Sequence, residues 1–235
     1  MPEKGTHLLL IGGFELLLDG DVVPLSMPAK RILAFMALQE RPLARSHIAG
    51  VLWGETTDSR AAASMRTALW RLKQPGLSVI ESSNGTIGLR EEVSIDLWEV
   101  REMARRALSR PESVALEPLD LALLSGDLLP DWYDDWVILE RERLRQIRLH
   151  ALEALCARFT EAGEHVDAIE TGLCAVACEP LRESSHLLLV KAYLAEGNRL
   201  EAIRHYRDFR ALLHDELGLH PAAAMEDLVR DLLPR

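Results

Sequence analysis

The sequence predicts a mainly α protein in two parts: an N-terminal winged helix, made of a small antiparallel sheet, three helices and a wing hairpin, and an all-α, tetratricopeptide-like helical-repeat domain. Three observations predict it. Strand signals, three helical segments and an Asn84-Gly85 hairpin signal follow one another within the first ninety residues. Charge is segregated: residues 1–90 hold ten basic against eight acidic residues, and residues 91–235 hold seventeen against twenty-nine. A 34-residue offset relates Phe159 to Tyr193, Gly163 to Gly197, Ala168 to Ala202 and Ile169 to Ile203. The boundary falls between residues 93 and 94.

In chain order, Leu8–Ile11, Phe14–Leu18 and Val22–Leu25 read as short strands, with Asp19-Gly20 as a turn. Ser26 is placed to cap a helix whose first turn holds Pro28, with Ile32, Phe35, Met36 and Gln39 at helical spacing. That helix ends near Glu40–Pro42. A short second helix covers about Ser46–Trp53, with Ile48, Val51 and Leu52 inward and Gly54 at its end. Asp58 or Ser59 is expected to cap a third helix over 59–73, and Pro75-Gly76 then breaks the chain. Leu77–Glu81 and Thr86–Arg90 flank Asn84-Gly85, the residue pair that a two-residue hairpin turn prefers.

The third helix carries the functional expectation. One sector gathers Ala61, Ala62, Met65, Ala68, Leu69 and Leu72; the opposite sector gathers Arg60, Ala63, Ser64, Thr67, Trp70, Arg71 and Gln74. Small and hydroxylated residues let a backbone approach base edges, and arginines reach guanine or phosphate. Residues 28–75 hold eight basic residues against three acidic ones, so the acidic total does not exclude nucleic acid. Sheet, three helices and hairpin is the order of a winged helix, whose last helix enters the major groove of double-stranded DNA. Candidate DNA-binding residues are therefore Arg60, Ser64, Thr67 and Arg71 on the wet face and Arg66 and Lys73 on its flank. Arg45 and Lys30, near helix starts, are expected on phosphate. Trp70 is expected to pack on its own wing or linker, and His47 to be a surface histidine.

Leu10–Phe14 with Asp19-Gly20, the Pro28-Ala-Lys-Arg-Ile-Leu33 helix start, Leu52-Trp-Gly-Glu55 and Ser64-Met-Arg-Thr-Ala-Leu-Trp-Arg-Leu-Lys73 resemble the SARP family, the Streptomyces antibiotic regulatory proteins. The resemblance covers nearly the whole chain. It implies a transcription activator with a bacterial transcriptional activation domain after the winged helix, forming homodimers on direct-repeat operators, engaging RNA polymerase holoenzyme and controlling a biosynthetic gene cluster. No cofactor is implied. Two positions depart from the family pattern. Ala44 stands where Ser or Thr is common, which moves the cap of the second helix to Ser46, and Thr86-Ile87 follow the wing glycine where an aromatic is often found.

From Ile95 onward nearly everything has helical period: Ile95–Leu108, Leu116–Leu124, about Trp132 to Ala162, and four further segments. Thirty-four residues is the period of tetratricopeptide helix pairs. Leu152, Leu155, Phe159, Ala168, Ala175 and Pro180 fit a first unit. The second departs after Tyr206, its proline displaced to Pro221, so its second helix should run longer, before a closing helix over about Ala222–Leu233. Leu128-Leu-Pro-Asp-Trp-Tyr-Asp-Asp-Trp136 continues the family likeness. Physically, Asp131, Asp134 and Asp135 suit a helix start, and Trp132, Tyr133 and Trp136 suit an interdomain seam.

No catalytic residue is assigned, because no partnered histidine, phosphate loop or metal spacing accompanies the acids. Cys156, Cys174 and Cys178 read as reduced thiols; Cys174 and Cys178 with His165 or His186 have a metal-compatible spacing, but no metal is assigned. No run of apolar residues has membrane-spanning length and no secretory signal opens the chain, so a cytoplasmic protein without membrane association is expected. The rival reading is a protein-interaction or ligand-sensing scaffold whose winged helix no longer reads DNA.

Overall fold

The protein is described by a computed structural model over residues 5–73, 77–111 and 118–232. Gln74, the Pro75-Gly76 break, Leu116 and Leu233 lie outside the described residues. Two compact units result, one formed by Met1–Glu99 with Asp127–Glu142, the other by Val100–Gly126 with Arg143–Arg235. The fold is mainly helical with a small N-terminal sheet.

The first unit opens with β1 (Thr6–Leu9), β2 (Glu15–Leu18) and β3 (Asp21–Val22), an antiparallel meander. A later strand, β7 (Val93–Ile95), joins β1 in parallel, giving the order β3-β2-β1-β7. The expected antiparallel sheet is thus mixed. The physical reason is the crossover: the helices and wing between β1 and β7 carry the chain back to the same end of the sheet, which a hairpin cannot do.

Helix α1 (Met27–Gln39) buries Ala29, Ile32, Leu33, Phe35 and Met36, and ends where Glu40 turns left-handed with φ 51°. Helix α2 (Arg45–Leu52) buries Ile48, Ala49 and Leu52, while Val51, expected inward, is 38% exposed. Helix α3 (Asp58–Leu72) buries Ala61, Met65, Ala68, Leu69 and Leu72.

Capping departs from expectation. The first helical residue after Ser26 is Met27, as foreseen, but the Ser26 side chain makes no cap hydrogen bond; its carbonyl accepts from the Ala29 and Lys30 amides. Ala44 and Thr57 hold the N-cap positions of α2 and α3, again without side-chain caps, so Ser46, Asp58 and Ser59 all fall inside their helices. In α2 the chain enters from a strand, β4 (Leu43–Ala44), which fixes an extended N-cap without a hydroxyl.

The wing is a hairpin of β5 (Ile80–Ser83) and β6 (Thr86–Leu89), with β4 on the far side of β6. Asn84 and Gly85 take φ of 47° and 84°, the pair of positive values that a two-residue turn needs to match strand twist. The Thr86 hydroxyl donates to the Ser83 carbonyl at 2.6 Å, and the Arg45 amide to the Gly85 carbonyl at 3.4 Å.

Two later segments complete this unit. Asp96, 5% exposed at the start of α4 (Asp96–Ser109), accepts from the Leu10 amide at 2.9 Å, Ile11 at 2.9 Å and Leu97 at 2.7 Å. The stretch before α6 (Asp135–Ala162) returns to the sheet: the Gly12 amide donates to the Asp127 carbonyl at 2.7 Å, and the Leu129 amide to the Leu10 carbonyl at 2.9 Å. Trp132 stacks on Phe14, ring centroids 5.8 Å apart, and Trp136 meets Phe35 edge-on at 5.3 Å. Arg141 donates to the carbonyls of Leu128 at 2.8 Å and Trp132 at 2.9 Å and to that of Leu129, holding Leu129 in a left-handed turn of φ 43°. Such a conformation costs a leucine about 1–2 kcal/mol, which these hydrogen bonds offset.

The second unit is helical: the rest of α4, α5 (Pro118–Ser125), the rest of α6, α7 (His165–Cys178), α8 (Glu183–Glu196), α9 (Arg199–Leu217) and α10 (Ala223–Val229), followed by a 3-10 turn over Arg230–Leu232. Gly163 and Gly197, 34 residues apart, both turn left-handed with φ 76° and 89°, so the two helix pairs are linked by the same turn. Ala168 and Ala202 are both fully buried. Helix α9 runs 19 residues against 14 for α7, the longer second helix that the displaced proline predicted. Gly172 sits in a tight spot: a Cβ there would lie 3.1 Å from Leu189 Cδ1 and 3.2 Å from Cys156 Sγ, so these side chains would have to give way.

Candidate nucleic-acid interface

The buried stripe of α3 turns its opposite side to solvent. Arg60, Ala63, Arg66, Thr67, Trp70, Arg71 and Lys73 are exposed and Ser64 is half-buried. Arg60, Arg66 and Arg71 therefore lie along α3 with Lys73 at its C-cap, and Asp58 in the first turn is the one acidic residue of the stretch 58–73. The Thr67 hydroxyl donates to the Ala63 carbonyl one turn back at 3.1 Å. The hydroxyl expected to read polar groups is thus already engaged with its own backbone.

Ser64, Thr67, Ala68 and Arg71 line one wall of a groove of about 280 Å³ whose other wall is Ser26, Pro28 and Trp53. Sequence reasoning missed that wall. Ser26-Met-Pro28 registers in the sequence as a helix start, and only the packing of α1 against α3 sets it beside Arg71. Arg45 stands exposed at the start of α2 next to the wing turn. Lys30 is half-buried with its Nζ 5.3 Å from the centroid of the Phe14 ring, so its charge already has an aromatic partner.

Trp70 corrects an expectation. It is 68% exposed and so is not packed on wing or linker. The five buried side chains of α3 fill the side facing α1 and α2, and position 70 lies across the helix from them. His47 is an exposed residue whose ring centroid is 5.9 Å from that of Phe35.

The aromatic-acidic segment divides. Trp132 is buried and Trp136 half-buried, both packing on aromatics of the first unit, while Tyr133 is 80% exposed. Asp135 opens α6 as expected, and the Asp134 carbonyl accepts from the Val137 and Ile138 amides. The Asp134 carboxylate does not cap; it accepts from Arg31 Nη2 at 2.5 Å.

In the second unit, His186 and His205 form a neutral pair. His186 Nε2 lies 2.8 Å from the Pro180 carbonyl and so donates to it, which leaves His186 Nδ1 to accept from His205 Nε2 at 2.9 Å. Burial depresses both, and the neighbouring His186 helps push His205 down to about 4. The three cysteines are free thiols, with burial pushing Cys156 up to about 11. Among the described residues no three His, Cys, Asp or Glu side chains cluster to hold a metal, and no helix is long and apolar enough to cross a membrane.

Comparison with known proteins gives a consistent set. The family described as bacterial transcriptional activator domain matches residues 95–233. Regulatory protein AfsR of Streptomyces coelicolor is 30% identical over 228 residues, 92% of this chain, which spans 23% of AfsR's length. Regulatory protein DnrI of Streptomyces peucetius is 23% identical, over 91% of this chain and 86% of its own. In fold, the chain matches EmbR of Mycobacterium tuberculosis, solved in complex with a low-affinity phosphopeptide. The TM-score is 0.70 at 22% identity, covering 99% of this chain and 67% of that one. AfsR and DnrI are both described as regulatory proteins.

Proposed function

Because the chain belongs to the bacterial transcriptional activator domain family of SARP-type transcription regulators, we propose that it is a sequence-specific activator that sets α3 in the major groove of double-stranded DNA. Arg60, Ser64, Arg66, Thr67, Arg71 and Lys73 face the groove and its phosphates, with Arg45 and Lys30 as outlying phosphate contacts. The supporting observation is that α3 and its C-cap residue carry four solvent-exposed cations, Arg60, Arg66, Arg71 and Lys73, along the two edges of the face opposite the buried stripe, in a unit that also carries a wing. The helical-repeat region dimerises the protein on a direct-repeat operator and contacts RNA polymerase holoenzyme. The regulated genes form a biosynthetic cluster, and the protein works in the cytoplasm without a cofactor or membrane association.

A fluorescence-anisotropy titration against duplexes tiled across its own gene neighbourhood tests this reading. A subset of tiles should bind at least a thousandfold more tightly than random DNA. Arg71→Ala should either lower the slope of log affinity on log salt by about one, as for a lost phosphate, or cost about 1–3 kcal/mol at one base position. No preferred tile, or specific binding untouched by Arg71→Ala, overturns it. Capture of a protein partner without any DNA footprint would favour the scaffold reading.

A further inference from the structure

The centre of the exposed face of α3 is apolar, and its cations stand to either side. Ala63, Thr67 and Trp70 are spaced four and three residues apart, so their side chains follow one another along one line of the helix. All three are exposed, and Trp70 is 68% so. Thr67 belongs to this line by its methyl, because its hydroxyl is turned inward to donate to the Ala63 carbonyl at 3.1 Å. Helical side chains lean toward the N-terminus, so the Trp70 indole covers the turn of Arg66 and Thr67. By helical position Arg60 and Arg71 flank the strip on one edge, Arg66 and Lys73 on the other.

Resting on the reading of α3 as a major-groove helix, we infer that this strip recognises thymine 5-methyl groups, with Trp70 as the residue that sets the preference. The charges argue for nucleic acid as the occupant: four arginines and lysines border the apolar line and no carboxylate interrupts it between Ser59 and Lys73. In the major groove the apolar feature that distinguishes one base pair from another is the thymine methyl. Ala63 lets the helix approach, the Thr67 methyl and the indole close over the methyl groups, and the flanking cations take phosphates on both sides of the groove.

The test begins with duplexes selected by the full chain from a random-sequence pool. Each thymine of an enriched half-site is then replaced in turn by deoxyuridine, which removes only the methyl. One or two positions per half-site should lose about fourfold in affinity per methyl, and Trp70→Ala should weaken the native duplex while making those positions insensitive. Because Trp70 touches little protein, Trp70→Ala should melt at the native temperature, and Trp70→Phe should keep part of the methyl sensitivity. Enrichment without a methyl-sensitive thymine, or methyl sensitivity unchanged in Trp70→Ala, overturns this inference and leaves the DNA reading standing. No enriched sequence at all overturns both.

Discussion

Asp96→Ala should destabilise the first unit severely, and the size of the loss follows from what the carboxylate holds. Three amides donate to it, at 2.7–2.9 Å, and two of them belong to the fully buried residues Leu10 and Leu97. Each orphaned buried donor costs about 1–3 kcal/mol, and Ile11, half-buried, recovers part of its cost from water. The expected loss is about 3–5 kcal/mol. For a unit of about 115 residues about 1 kcal/mol moves the midpoint by roughly 4 °C, so the first unit of the variant should melt roughly 12–20 °C lower. Tryptophan fluorescence is the assay of choice, because all five tryptophans, Trp53, Trp70, Trp98, Trp132 and Trp136, fall in the first unit. Far-UV circular dichroism, dominated by helix, should show the second unit melting near its native temperature. Asp96→Asn keeps one acceptor oxygen but turns an NH2 toward amide donors, so it should recover little. A loss under about 1 kcal/mol in both variants would refute the idea that this carboxylate ties the sheet to α4.

Other expectations are equally specific. In the second unit, His205 has a folded pKa of about 4 against an ordinary 6.5, so the unfolded chain takes up the proton first. The stability from keeping it neutral is full above pH 6.5 and is lost as pH falls toward 4, by about 2 kcal/mol after allowance for its partial exposure. Urea unfolding followed by circular dichroism at pH 7.5 and 5 should show a lower midpoint at pH 5, and His205→Gln should flatten the difference. Gly172→Val should cost about 1–3 kcal/mol by overpacking against Leu189 and Cys156, seen in the same unfolding curves. Gly85→Val should lose about 1–2 kcal/mol from a wing turn that needs positive φ, with Gly85→Asn closer to native. Arg31→Met should cost about 1–3 kcal/mol, because Asp134 is only about a quarter exposed and its carboxylate loses the guanidinium that donates to it.

What could be read from sequence was whatever a local pattern encodes. The Asn84-Gly85 turn appears where expected because it depends on the φ of two residues, and the repeat offset that pairs Gly163 with Gly197 corresponds to two matching left-handed turns. The dry stripe of α3 follows from helical period alone. Features that depend on distant chain were not legible: β4 and β7 are two and three residues long and carry too little alternation to announce a strand. The aromatic partners of Trp132 and Trp136 lie about a hundred residues upstream. Capping was misread because a hydroxyl or carboxylate near a helix start is a candidate cap, whereas the path of the preceding chain decides which residue occupies the cap. At the interface, sequence supplied the cations of α3 but not the far wall of its groove, nor the direction of the Thr67 hydroxyl.

The first unit takes its chain from Met1–Glu99 and again from Asp127–Glu142. During synthesis, the three helices and wing emerge long before the residues that finish their own fold. A nascent chain stopped short of Trp132 lacks the ring that stacks on Phe14, and one stopped short of Arg141 lacks the guanidinium that holds the returning turn. The part that holds the three helices and the wing therefore matures only after residues 127–142 have been made. A gene fusion that cuts after the wing would deliver a fragment with an unfinished sheet, whereas one that carries residues through 142 would deliver the whole unit.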